Sequence, residues 1–271
     1  MAKENGSKLY VLDCGYTFMD SNFVIAMDTY MTEGNPDAPH RWHKCPTYCV
    51  LIKHPTAGNI LFDLGTRCDN NEYAPKPITD SDVYHGGPEN DLGVQLEKCG
   101  VKPEEINYVI LSHMHYDHIG NYHLVKDTAE FFISREELNY AFDSVCISPN
   151  AEDHGFYIRS EVTAEFKRVH IIDEDSELFD GISVFLLPGH TPGVMGCLVE
   201  GKEKNYFLAS DSLYCKASFE GSLPGIIYDS IGFRNSLRKI KRIVKENNAE
   251  IWYGHDGEQF DTMKKAPEFY V

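Results

Sequence analysis

No stretch of this 271-residue chain approaches the ~18 consecutive apolar residues of a membrane span, so no membrane partner is expected. The opening Met-Ala-Lys-Glu-Asn-Gly-Ser-Lys lacks the apolar run of about 7–15 residues that a secretion signal needs, which predicts a cytoplasmic protein. CxxC pairs are missing too. The eight cysteines, at positions 14, 45, 49, 68, 99, 146, 197 and 215, are scattered, and in a reducing compartment such thiols stay free. Positive charge is scarce: 25 Lys+Arg against 42 Asp+Glu leave a formal charge of −17, a field that repels phosphate backbones and argues against a nucleic-acid partner. In the one basic segment, Arg234 to Lys245, Leu237, Ile240, Ile243 and Val244 recur at helical spacing, so its charges read as the solvated face of an amphipathic helix. The chain carries no low-complexity tract and no solenoid repeat.

What is there fits one α/β domain over residues 1–271, since 42% hydrophobic residues suffice for one substantial core. Lys8–Asp13, Thr47–Lys53 and Asn59–Asp63 read as strands of an antiparallel meander, with residues 55–58 as the turn of a hairpin. Further strands are expected at 106–111, 131–133, 169–172, 182–187, 194–199, 205–209 and 250–253, and helices at 90–99, 135–142 and 230–247. Residues 143–168 are polar and ambiguous. Segments 14–46 and 66–91 are rich in Gly, Pro, Asn, Asp and Ser, yet carry Tyr16, Phe18, Met27, Tyr30, Met31, Trp42, Tyr73 and Tyr84. They read as lid-like loop insertions that either line a substrate pocket or pad the core and a homodimer contact.

Four apolar strands end in candidate metal ligands: Val109 to His113, Phe185 to His190, Tyr206 to Asp211 and Ile251 to His255. Side chains just past strand ends converge at one edge of a sheet, the usual address of a site in α/β architectures. The run His113-Met-His-Tyr-Asp-His118 packs three of the chain's twelve histidines and an aspartate into six residues. Alternate residues of extended chain share a face, so His113 and His115 pair with Met114 turned away, while Asp117 and His118 address a neighbouring position. Imidazole nitrogen and carboxylate oxygen suit Zn²⁺, and also Fe, Mn or Co.

The His113–His118 run, the Gly189-His190 turn, Asp211 and Gly254-His255 resemble, in order and spacing, the metallo-β-lactamase-fold hydrolases over nearly the whole chain. Ser210-Asp-Ser-Leu-Tyr214, Tyr253-Gly-His-Asp256 and the final Phe269-Tyr270 are similar above all to lactonases that open N-acyl-homoserine lactones, the quorum-quenching enzymes, with 4-pyridoxolactonases as near relatives. The resemblance implies an αββα sandwich. It also implies two divalent metal ions, one held by His113, His115 and His190, the other by Asp117, His118 and His255, with Asp211 as the bridge. A class B β-lactamase of the best-known kind lacks the ligand at His118 and has Cys at the position of Asp211, so β-lactam cleavage is not expected. Tyr214 stands where such lactonases set a tyrosine hydroxyl against the substrate carbonyl, packing being its other reading. Asp63 matches a superfamily aspartate that supports the site from outside. Asp256 either orients His255 or is a surface carboxylate, and Asn121 replaces a second glycine found in many relatives.

The expected reaction is lactone opening by a hydroxide shared between two ions, since coordination lowers the pKa of water to about 7. Tyr214 would assist the carbonyl and Asp117 would pass a proton to the departing ring oxygen. The apolar residues of 14–46 suit either an acyl chain or a flat ring such as pyridoxolactone. Rival readings are a thioester hydrolase of glyoxalase II type, which usually carries a C-terminal helical addition, and a metal-binding module without catalysis. A phosphodiesterase is disfavoured by the −17 charge, and a di-iron redox protein by the missing motif Glu and flavin domain.

Overall fold

The computed structural model describes residues 6–271, so the first five residues of the polar opening segment lie outside the described residues. A six-stranded sheet is built from β1 (Lys8–Leu12), β4 (Cys49–His54), β5 (Gly58–Phe62), β7 (Ile106–Ile110), β8 (Glu130–Ser134) and β9 (Arg168–Ile172), in that spatial order. A five-stranded sheet follows the order β10 (Ser176–Phe179), β11 (Ile182–Leu186), β12 (Met195–Glu200), β13 (Asn205–Ser210) and β14 (Ala249–Tyr253). The expected hairpin forms, β4 pairing with β5 antiparallel from Val50 opposite Phe62 to His54 opposite Gly58. From β5 through β9 the pairing is parallel, as is β13 with β14.

Strand alternation distributes the core. Leu9, Val11, Val50, Ile52, Ile60, Phe62 and Ile110 point inward and meet Val184, Met195, Cys197, Val199, Leu208 and Trp252 of the second sheet. Their neighbours Tyr10, Leu12, Leu51, Leu61 and Val109 point outward, under the helices Leu92–Lys98 and Arg135–Cys146. On the far side, Leu198, Phe207 and Ile251 take Phe233, Leu237, Ile240 and Ile243 of the helix Ser230–Glu246. Strands covered on both faces read as continuous apolar runs, and the result is helix, sheet, sheet, helix: the αββα sandwich. The basic residues Arg234, Arg238, Lys241, Arg242 and Lys245 lie on the exposed face of that last helix, as its periodicity requires.

The segments read as loop insertions hold more regular structure than that. β2 (Tyr16–Asp20) pairs with β3 (Trp42–Pro46) on one side and β6 (Val83–His85) on the other, a separate three-stranded sheet. Gly, Asn and Asp around these short strands mask them, and the pairing joins residues far apart in sequence, which local pattern cannot reveal. β10 likewise leaves no mark in the pattern, since four residues, Ser-Glu-Leu-Phe, are too few for an alternation to register. No helix among the described residues is long and apolar enough to cross a membrane.

Candidate metal centre

The C-terminal ends of β7, β11, β13 and β14 open on one edge of the sandwich and deliver His113, His190, Asp211 and His255 to it, while the short helix Tyr116–Ile119 brings Asp117 and His118. All of these, with His115, are buried. Close approach needs special backbone at two of these ends: Ser210 sits at φ 46°, and a Cβ on Gly254 would lie 2.8 Å from Asp211 Oδ1. A non-glycine residue at positive φ is held there only by surrounding structure, and such strain collects at functional sites.

The donor atoms converge. His113 Nε2 lies 3.1 Å from His115 Nδ1 and 3.2 Å from His190 Nε2, and His190 Nε2 lies 2.9 Å from His115 Nδ1. His118 Nε2 and His255 Nε2 are each 3.4 Å from Asp117 Oδ2. Asp211 stands between the two groups with its oxygens divided: Oδ2 is 3.3 Å from His190 Nε2 and 4.0 Å from His113 Nε2, whereas Oδ1 is 3.2 Å from His118 Nε2 and 3.0 Å from His255 Nε2. Met114 points the other way, into the core under the first sheet.

The outer nitrogens of four of the five rings face partners that fix them. His118 Nδ1 meets Asp63 Oδ2 at 2.9 Å, His255 Nδ1 the Pro46 carbonyl at 3.0 Å, His190 Nδ1 the Ile226 carbonyl at 3.1 Å, and His113 Nδ1 the Ser112 hydroxyl at 3.0 Å. In a neutral imidazole an N–H committed outward leaves the inner nitrogen as a lone pair, the arrangement typical of metal-ligating histidine. Asp63, itself at φ 58°, also accepts from Ser112 N–H at 2.7 Å and from the Ser112 and Ser210 hydroxyls, tying three strand ends together.

Such a cluster is poorly stable by itself. Burial, with the neighbouring imidazoles, holds His113 and His115 well below the usual histidine range, and burial lowers His190. Three lone pairs therefore face one another. Burial also disfavours charge on His118 and His255, but Asp117 and Asp211 outweigh it, raising His118 well above the ordinary value and His255 to about 9. Burial opposes charge on Asp211 as well, yet His255, His118 and His190 hold its carboxyl well below the usual carboxylate range. His118 Nε2 and Asp211 Oδ1 are fully buried and have no hydrogen-bond partner. Unpartnered buried polar atoms and facing lone pairs are what a cation would satisfy, and in each of three donor sets the ligand atoms lie within 4.8 Å of one another: His113/His115/His190, His113/His118/Asp211 and Asp117/His118/His255. The residues present fit metal ions.

Tyr214 is buried between His190 and His255, ring centroids 5.3 Å from each, with its hydroxyl 3.1 Å from His190 Nδ1. Its backbone carbonyl accepts the His255 N–H at 2.8 Å. Asp256 does not orient His255. It caps the helix Gly257–Thr262 through the Gln259 N–H and accepts the Lys216 N–H. Asn121 donates to the Leu64 and Thr66 carbonyls, locking the loop that follows Asp63. Phe269 and Tyr270 pack on Tyr10 and Trp252. A cleft of about 550 Å³ reaches His115 and His190, walled by Phe156, Tyr157, Ile226 and Tyr228. Nothing in the local sequence marks these walls, nor the buried Glu137 and Asp82, because only tertiary burial distinguishes them from ordinary helix and loop residues.

A sandwich carrying this cluster at its strand ends defines a class, and the chain belongs to it: the model of the metallo-beta-lactamase superfamily matches residues 43–255. Among curated proteins, the chain is similar to the N-acyl homoserine lactonase AiiB of Agrobacterium fabrum, with 27% identity covering 98% of this chain and 99% of that protein. It is similar also to the N-acyl homoserine lactonase of Bacillus cereus, with 27% identity over 97% and 98% of the two chains. Among solved structures, an N-acyl homoserine lactone hydrolase with the product N-hexanoyl-L-homoserine at its catalytic metal centre superposes with a TM-score of 0.82 and 25% identity, covering 98% of this chain and 100% of that one.

Proposed function

We propose that this chain hydrolyses lactones, N-acyl homoserine lactones foremost, with two divalent metal ions, zinc being the favoured metal. The observation that carries the reading is Asp211, whose two carboxylate oxygens are shared out between two sets of histidines. His113, His115 and His190 would hold one ion and Asp117, His118 and His255 the other, with Asp211 serving both. When bound, such ions polarise a carbonyl and bring the pKa of water to about 7.

The chain's own residues supply the rest. The cleft beside His115 and His190 presents an apolar wall to an acyl group while the reacting carbonyl sits over the cluster. Burial and the carboxylates of Asp211 and Asp117 push the Tyr214 phenol well above its ordinary pKa, so it stays protonated and can donate to a carbonyl oxygen gaining charge. With the His190 Nδ1–H given to the Ile226 carbonyl, the Tyr214 O–H is free for substrate. Ring opening leaves an alkoxide that must take a proton, and Asp117 is the carboxylate of the cluster placed to pass one. The lactonase relatives and the product-bound neighbour support this reading.

The same proposal places the protein in the cytoplasm, and pairs it with a second copy through the exposed Met27, Tyr30, Met31 and Trp42, each more than 60% accessible. The test of function is acid release from a panel of lactones, thioesters and β-lactams incubated with zinc-loaded protein. Turnover of N-acyl homoserine lactones is expected and β-lactams should be inert; silence on every lactone removes the proposal.

A further inference from the structure

Glu137 is completely buried, yet it is not one of the cluster's donors. It lies in the first turn of the helix Arg135–Cys146 and gathers three hydrogen bonds from three different loops. Its Oε1 accepts the Met114 N–H at 2.9 Å and the Tyr157 hydroxyl at 2.9 Å, and its Oε2 accepts the Thr191 hydroxyl at 2.5 Å. Met114 lies between His113 and His115, Thr191 follows His190, and the Tyr157 ring stands edge-on to His115 with centroids 4.5 Å apart. The same helix end clamps the His190 turn a second time. Ser134 Oγ accepts the Glu137 N–H and donates to the Gly193 carbonyl at 2.6 Å, and a Cβ on Gly193 would lie 2.1 Å from the Glu137 nitrogen.

The other half of the cluster has anchors of its own. Asp63 bonds His118 directly and reaches His113 only through the Ser112 hydroxyl, and the Pro46 carbonyl fixes His255; Glu137 bonds to neither His118 nor His255. A buried carboxylate with all its bonds to flanking backbone and hydroxyls acts on ligand spacing rather than on chemistry. Zinc to imidazole bonds of about 2.0–2.1 Å tolerate little drift between the two loops that carry the ligands.

We infer that Glu137 is the positioning residue of the His113/His115/His190 half of the centre, setting the metal affinity of that half and leaving the Asp117/His118/His255 half unaffected. This rests on the two-ion reading above. The closing experiment titrates the metal-free full-length chain with zinc against a chromophoric chelator, for wild type, Thr191→Val, Glu137→Leu and Glu137→Gln. Wild type should take two ions. In Thr191→Val and Glu137→Leu one ion should bind as in wild type and the other about 10–100-fold more weakly, the usual size of an outer-shell effect. Glu137→Gln keeps a carbonyl for Met114 and Tyr157 and can donate its amide to Thr191, so affinity should return to within about threefold. Added to His190→Ala, Thr191→Val should cost nothing further, whereas added to His255→Ala it should cost its full amount.

Equal weakening of both ions, no weakening of either, or damage in Glu137→Gln as large as in Glu137→Leu overturns the inference while two-ion binding stands. A wild type that takes no zinc overturns the metal centre itself, and this inference with it. If Glu137→Leu does not fold, Thr191→Val combined with Tyr157→Phe removes two of the three bonds and answers the same question.

Discussion

Replacing Tyr214 with phenylalanine removes one hydroxyl and almost nothing else. The ring is wedged between His190 and His255, and phenylalanine fills the same space, so no cavity opens. His190 Nδ1 loses a neighbour at 3.1 Å but keeps the Ile226 carbonyl at 3.1 Å, so its lone pair stays aimed inward and metal content should remain at two per chain. What is lost is a donor to the oxygen that gains charge during attack. Removing the equivalent donor from an oxyanion hole costs about 10²–10³ in kcat, or ~2.7–4 kcal/mol. Here a metal ion would share that oxygen, so the expected loss is smaller, about 10–100-fold in kcat, or roughly 1.4–2.7 kcal/mol of transition-state stabilisation. The assay is acid release at saturating lactone, with metal content measured on the same sample and the melting temperature unchanged. A kcat within twofold of wild type, at full metal content, refutes a role against the carbonyl. Loss of metal refutes the argument that Ile226 suffices to orient His190.

Three other outcomes follow from the geometry. Asp211→Ala should lose metal and activity together, and retention of two ions would show that Asp211 does not serve both. In the metal-free protein His255, raised to about 9 by Asp211 and Asp117 against the effect of burial, is protonated at pH 7, so metal must expel that proton; apparent affinity should climb as pH rises above 7, with proton release visible by calorimetry in buffers of different ionisation enthalpy, and a flat profile would contradict the pairing. Asp82 is buried beneath Tyr116, and burial followed by the nearby Asp117 raises its carboxyl to about 7. A raised acid stabilises the fold fully below its unfolded value of about 3.9, and that contribution fades as pH rises through 7. Between pH 5 and pH 8 the metal-free wild type should therefore lose roughly 2–3 kcal/mol relative to Asp82→Asn, read by denaturant titration, and parallel curves would refute a buried, shifted Asp82.

Much of the fold could be read from pattern because strands covered on both faces carry short apolar runs, such as Cys49-Val-Leu-Ile52 in β4 and Ile251-Trp-Tyr253 in β14. The helix Ser230–Glu246 declared itself by an apolar stripe that packs on Phe207 and Ile251. The three-stranded sheet of β2, β3 and β6 did not, since its residues are half exposed and its pairing spans from Tyr16 to His85. Local composition there speaks of turns, and only the non-local ladder makes strands of it.

The seven donors were legible for a related reason. Histidine and aspartate placed directly after apolar strands are expensive to bury, and chemistry is the common cause of that cost. Sequence alone therefore determined the class of site, the strands that build it and the residues that face it. Tertiary structure decided how the donors divide: that Asp211 turns one oxygen to each set of histidines, that Asp63 meets His118 while Glu137 bonds the Met114 N–H and the Thr191 hydroxyl, and that the apolar wall comes from Phe156, Tyr157, Ile226 and Tyr228. Those facts depend on which loop lies against which and by a few tenths of an ångström. Spacing along a chain carries no such information, because burial and hydrogen-bond geometry exist only once the two sheets have closed on each other.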